Sequence, residues 1–240
     1  MYRGFTIDPP FFEIGPKAYL YGEEVLALAM HADQVSEKYN VQVIFTPQCV
    51  DIPILARQVK NIFIFAQHMD YLDIGRGVGS VLPEAVKAAG AAGVLLNHAE
   101  KPLSLEEIDR TIQRADEVGL GTMVCADAFE NAAAVAHLGP NILLAESPKL
   151  IGIGKRGDDD QQAIAKINQI VWDINPDIRV MHSAGISNGE DVYQIIAAGA
   201  QATGSTSGII KALDPYQMLE EMIASVRRAW DITHKKSSGE

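Results

Sequence analysis

A single-domain α/β chain closed into a (β/α)8 barrel is the fold this sequence predicts, on three observations. Short apolar runs alternate with amphipathic helical stretches from end to end, the rhythm of a parallel sheet buried on both faces. The apolar runs number eight, the count that closes such a barrel. The 240 residues, 48% hydrophobic and 21% charged, suffice for one large core, and no Pro-rich, Ser-rich or like-charged linker divides them. A doubly wound sheet competes, but no glycine-rich phosphate fingerprint follows the first strand. The chain is read as one domain over residues 1–240, with a polar tail, 233–240, expected to fray.

The first strand runs from Phe11 to Gly15 and precedes a helical stretch from Glu23 to Lys38. Val41 to Thr46 and Ile62 to Ala66 supply the second and third strands, with a helix from Ile52 to Val59 between them. A helix from Val81 to Ala89 ends at Gly90, and Gly93 to Asn97 forms the fourth strand. In the next helix Leu105, Ile108, Ile112, Ala115 and Val118 make one apolar stripe, the mark of a helix lying on a sheet, and Gly119 terminates it. Thr122 to Ala126 is the fifth strand, followed by Asp127 as a turn or N-cap residue and a helix from Asn131 to His137 that Gly139 ends. The sixth strand, Ile142 to Ala145, leads to a helix from Asp160 to Ile174, whose positive end suits the acidic run Asp158 to Asp160. Arg179 to Ser183 is the seventh strand, and Ser187, an N-cap or turn residue, precedes a helix from Gly189 to Ala198 closed by Gly199. Ala202 to Ser205 is the eighth strand, and Asp214, an N-cap or turn residue, precedes the last helix, Pro215 to Asp231.

The net charge of −11 argues against nucleic-acid binding, because counterion release needs a basic face. Any phosphorylated ligand must be held by backbone N–H groups and a few placed cations. Cys49 and Cys125 both follow apolar strand-like runs, so neither a disulfide framework nor a nucleophilic role is expected, and a reducing compartment fits. The amino terminus lacks the apolar region of a signal peptide, and no run reaches membrane-spanning length free of Gly, Pro or charge. A cytoplasmic protein without membrane partners is expected.

In a barrel of this kind the residues just beyond each strand converge on one face, where function resides. Lys17 follows the first strand, Gln67, His68 and Asp70 the third, His98 and Glu100 the fourth, Glu146 the sixth, Ser183 the seventh, and Thr206 and Ser207 the eighth. The stretch Ile142 to Gly154 is the most informative: an apolar strand runs into the carboxylate of Glu146 and then a loop in which Gly152 and Gly154 offer bare N–H groups to an anion.

The segments Ile14 to Tyr19, Ala66 to Asp70, Gly79-Ser80, Leu95 to Glu100, Glu146 to Gly154, Ala184 to Val192 and Ser207-Gly208 together resemble triosephosphate isomerases, especially the shorter archaeal form, over nearly the whole chain. The resemblance implies the TIM barrel and an aldose–ketose isomerase acting on a small phosphorylated sugar. It implies Lys17 as the catalytic lysine, His98 as the electrophile, Glu146 as the base and Glu100 as a second carboxylate near the lysine, a division of roles for which this family is itself the type example. It further implies phosphate binding by Gly152, Ser183, Thr206 and Ser207, no metal, no cofactor, and a homo-oligomer, dimeric or tetrameric, built partly on the loop Gly75 to Gly79.

The pattern departs from the family at several points. Gly15 stands where Asn is usual two positions before the lysine, Ala99 and Lys101 replace Ser and Arg around Glu100, and Ser147 enters between Glu146 and Pro148. His182-Ser183 and Thr206-Ser207 are bulkier or more polar than the small residues usual in the phosphate loops. These changes keep a tetrulose phosphate in view as substrate, and a barrel that binds a phosphosugar without turning it over. A Schiff-base aldolase using Lys17, and a metal site on His68 and Asp70, are the remaining alternatives.

Overall fold

The computed structural model describes residues 1–127, 129–146, 158–183 and 185–235. Eight parallel strands close into a barrel in chain order: β1 (Phe11–Ile14), β2 (Gln42–Phe45), β3 (Ile62–Ala66), β4 (Gly93–Leu96), β5 (Gly121–Ala126), β6 (Ile142–Glu146), β7 (Arg179–Ser183) and β8 (Ala202–Ser205). Between and after them come α1 (Gly22–Tyr39), α2 (Ile52–Gln58), α3 (Pro83–Ala88), α4 (Leu105–Val118), α5 (Phe129–Leu138), α6 (Asp158–Ile174), α7 (Gly189–Ala197), α8 (Ser207–Ile210) and α9 (Pro215–Lys235). Closure rests on β1, whose Phe11 to Ile14 pair with Gln42 to Phe45 on one side and Ala202 to Ser205 on the other.

The period of two along each strand sorts the core into two shells. Inward side chains, among them Phe11, Ile44, Phe65, Leu95, Met123, Leu144 and Met181, fill the barrel, while outward ones such as Phe12, Ile14, Val43, Phe45 and Val94 pack beneath the helices. The first ten residues, to which the sequence assigned no element, close the amino ends of the strands. Phe5 makes edge contacts with Phe63 and Phe65 at 5.3 Å, Asn141 donates to the Tyr2 carbonyl, and Arg179 donates to the Ile7 carbonyl. The barrel thus has one plugged end, and its chemistry falls to the other.

Local signals explain most boundaries. Gly119, at φ 80, ends α4 in the left-handed conformation that glycine adopts without a Cβ penalty. Asp214 accepts from the N–H groups of Tyr216 and Gln217, as a cap should. Several helix boundaries shift, α5 and α6 among them, which begin two residues early at Phe129 and Asp158. Helix α3 starts at Pro83 instead of Val81, because Val81 is held by Asp70: its N–H donates to the Asp70 carboxylate at 2.7 Å and its carbonyl accepts from the Asp70 N–H. The N-cap of α7 is Asn188, which accepts from the Asp191 N–H, while Ser187 donates its own N–H to the Asp191 carboxylate. Helix α9 continues to Lys235, into the segment read as tail. The four-residue α8 is too short for hydrophobic periodicity to reveal.

Helix α4 carries a complete capping box, in which Ser104 Oγ accepts from the Glu107 N–H and the Glu107 carboxylate accepts from the Ser104 N–H. Ser104→Ala is therefore expected to cost about 1 kcal/mol of folding stability, read as a lowered midpoint in urea denaturation with unchanged slope. No helix among the described residues is long and apolar enough to cross a membrane.

Candidate active site

At the carboxyl ends of the strands lies a cavity of about 320 Å³ lined by residues from several βα loops, including Glu13, Lys17, Thr46, Gln67, His98, Glu100 and Glu146. A second space of about 410 Å³ opens beside it between Lys17, His98, Glu146, Ser183, Gly185, Ser187, Thr206 and Ser207. Side chains named from the sequence as Lys17, His98, Glu100, Glu146, Ser183, Thr206 and Ser207 therefore meet at one mouth. Gly152 lies outside the described residues, as do Ser147 and Pro148.

Each group is positioned by its loop. Lys17 has φ 49, a left-handed backbone unusual for a lysine, and is held there by Gln67, whose amide donates to the carbonyls of Lys17 at 3.0 Å and Thr46 at 2.9 Å. That clamp ties the loops after β1, β2 and β3 together. The Lys17 ammonium donates to Glu100 at 2.7 Å, and this hydrogen bond holds the Glu100 carboxyl below the usual carboxylate range. The pairing fixes the amine over the mouth.

His98 follows Asn97, itself left-handed at φ 57 and anchored at both ends of its amide: Nδ2 donates to the Cys125 carbonyl, and Oδ1 accepts from the Leu103 N–H. The Glu100 backbone N–H donates to His98 Nδ1 at 3.1 Å. With Nδ1 accepting, Nε2 is the ring nitrogen left to donate into the cavity. Glu146 ends β6 in register with Ser183 of β7, which sets the two side by side at the mouth. Thr206 and Ser207 open α8, whose first N–H groups have no preceding turn to accept them.

Two residues at the site were not singled out in the sequence, Glu13 and Thr46. Thr46 Oγ1 donates to Glu13 at 2.6 Å, and both are buried. Burial pushes the Glu13 carboxyl up to about 7, with the nearby Glu146 charge adding to the rise and the Thr46 hydrogen bond and Lys17 opposing it. Because the folded-state value lies above the free one, the stabilising contribution of this proton is complete below about pH 4.5, falls as pH rises, and is gone above about 7. The signal was present: Glu13 stands two residues from the inward Phe11, so strand alternation turns it into the barrel.

His68 and Asp70 hydrogen-bond each other at 3.2 Å, and Asp70 also holds Val81, so the pair clasps the loop after β3. Among the described residues no three His, Cys, Asp or Glu side chains cluster as a metal site would require. His182 faces outward, its Nε2 2.8 Å from Asn168 Oδ1 of α6.

Known proteins resemble this chain along most of its length. The family model described as triosephosphate isomerase matches residues 16–212. Curated triosephosphate isomerases of Methanobacterium bryantii and Methanothermus fervidus are 39% and 38% identical over 91% and 92% of this chain, and 98% and 100% of their own. That of Sulfurisphaera tokodaii is 36% identical over 94% of this chain and 99% of its own. Among solved structures, the triosephosphate isomerase of Bartonella henselae superposes with a TM-score of 0.72 at 17% identity, over 92% of this chain and all of that one, a likeness of fold.

Proposed function

The chain belongs to the triosephosphate isomerase family, and from that premise we propose that it interconverts dihydroxyacetone phosphate and glyceraldehyde 3-phosphate through an enediolate. The observation that carries this reading is the meeting of Lys17, His98 and Glu146 around one cavity, with His98 Nδ1 accepting from the Glu100 N–H.

The Glu146 carboxylate takes the proton from the hydroxymethyl carbon of the ketose, and the electron pair moves into a carbon–carbon double bond while the carbonyl oxygen gains charge. His98 Nε2–H donates to the two enediolate oxygens in turn and lets one proton pass between them. Glu146 then returns its proton to the neighbouring carbon, leaving the aldose with no net change in atoms or charge. The Lys17 ammonium, held by Glu100, supplies fixed positive charge beside the oxygens, and each such preorganised donor is worth about 3 kcal/mol of barrier. Ser183, Thr206 and Ser207 bind the phosphate through N–H and hydroxyl groups, in the second space beside the reacting carbons. Gly152 belongs to the same reading from its sequence position alone.

The test is to incubate the protein with dihydroxyacetone phosphate in deuterated water and look for carbon-bound deuterium and aldose product. Binding without exchange would reduce the protein to a phosphosugar-binding barrel. A coupled-assay panel of triose and tetrulose phosphates should give its highest kcat/KM with the triose. The mechanism needs no metal, since Lys17 and His98 already supply the electrophiles, so exhaustive dialysis against EDTA is expected to leave kcat unchanged. A loss restored by a divalent cation would revive the site on His68 and Asp70. We also infer a cytoplasmic homo-oligomer. Its support is two free cysteines and the loop after β3, where Ile74 and Val78 stand 76% and 109% exposed. Sedimentation of a species heavier than 26.0 kDa checks it.

A further inference from the structure

We propose that Glu13 is a further substrate-contacting residue of this site, its carboxyl hydrogen-bonding the hydroxy-carbonyl end of the substrate from the floor of the cavity. The inference rests on the isomerase reading and deepens it.

The inner face of the barrel is apolar at Phe11, Ile44, Leu95, Leu144 and Met181, and among these layers Glu13 is a carboxyl. Burying such a group is costly unless it is paired or used. The described residues give it one hydrogen-bond partner, Thr46, and it lines the same cavity as Lys17, His98 and Glu146.

Two glycines keep its place. A Cβ on Gly15 would lie 2.9 Å from Glu13 Oε1 and 3.2 Å from both Thr46 Oγ1 and Thr206 Oγ1. A Cβ on Gly204 would lie 2.9 Å from the Glu13 Cβ and 2.6 Å from its carbonyl oxygen. The carboxyl therefore occupies the volume that any side chain at position 15 would take, next to Lys17. Gly15 and Glu13 act as one device: the polar group at the floor is delivered from position 13 because position 15 has none.

The chemistry follows from protonation. The titratable and charged groups that share the cavity with Glu13 or bear on it are Lys17 beyond β1, His68 beyond β3, His98, Glu100 and Lys101 beyond β4, the Cys125 thiol on β5 and Glu146 on β6, with the Thr46 hydroxyl beyond β2. In its neutral form Glu13 donates to a substrate oxygen, the same sense as His98 and Lys17. Once ionised it offers a lone pair to an oxygen that gains negative charge and sets a second anion beside Glu146. Binding and turnover should both weaken as pH climbs through its ionisation, which burial has pushed up to about 7.

Glu13→Gln keeps the shape, accepts from Thr46 and donates, but cannot titrate; Glu13→Val removes the donor. With dihydroxyacetone phosphate, the ratio of kcat/KM for Glu13→Gln to that of the parent should rise at least about tenfold between pH 6 and pH 9. Glu13→Val should lose about tenfold or more at pH 6. Calorimetric affinity for the same ligand should follow the same order. A constant ratio across pH, together with Glu13→Val within a factor of about two, overturns the contact and leaves Glu13 a structural residue. Melting temperatures report folding separately, since a structural role moves those without bending the pH profile. If the parent fails to turn over either triose phosphate, the isomerase reading fails, and the calorimetric comparison of the three proteins still decides the contact.

Discussion

Shortening Glu146 to aspartate is expected to lower kcat about a hundredfold or more while the Michaelis constant moves little. The acidity and charge of the side chain are nearly conserved, so ground-state electrostatics around the substrate survive. What changes is reach. Removing one methylene draws the carboxylate back by about a bond length, and proton abstraction from carbon is sensitive to that because the reacting atoms must approach within about 3.5 Å. Steady-state kinetics in both directions read the effect, and kcat/KM should fall by the same factor in each, since the equilibrium is a property of the two sugars alone. A variant with parental kcat would remove Glu146 from the mechanism and leave the cavity without a base for carbon.

Lys17→Ala is expected to be the more damaging change overall, lowering kcat/KM about a thousandfold or more and weakening binding as well. The ammonium serves twice. It faces the oxygen on which charge grows, and it neutralises Glu100, with which it shares a 2.7 Å hydrogen bond. Without it Glu100 remains as an uncompensated anion at the mouth of a protein that already carries −11, and a phosphorylated ligand must approach against it. Kinetics and calorimetric titration with dihydroxyacetone phosphate separate the two losses. Retention of both turnover and affinity would show that position 17 does not carry the electrophile. Lys17→Arg should rescue binding more than turnover, because a planar fork restores charge but cannot occupy the point a compact ammonium fills.

The barrel was legible because a buried parallel sheet leaves a strong imprint. All eight strands appear at the expected places to within a residue or two at each end, since each is a run of apolar side chains bounded by turn chemistry. One boundary slipped where a partner far along the chain outvoted local preference: Asp70 holds Val81 out of α3. The amino-terminal plug was invisible for a related reason. Phe5 and Ile7 show no period, and their burial is decided by the open end of a barrel that their own segment says nothing about.

The site divides the same way. Lys17, His98, Glu100, Glu146, Ser183, Thr206 and Ser207 could be named from the sequence because strand ends of a closed barrel must converge, and their order along the chain then fixes which groups share the mouth. The tautomer of His98 could not be named, because it depends on which N–H meets Nδ1, and that donor is set by the turn from Asn97 to Glu100. Nor could the meaning of Gly15. In the sequence it reads as a lost asparagine; in three dimensions the space beside it is filled by Glu13 and Thr46. The linear pattern of apolar runs and strand-end polar groups thus determined the fold and which residues share its mouth, because periodicity and convergence are properties of the backbone, while the reaction class came from the resemblance of those segments to triosephosphate isomerases. Tertiary structure alone decided the protonation and the pairing of the buried groups, because those follow from distances between atoms that the chain order leaves far apart.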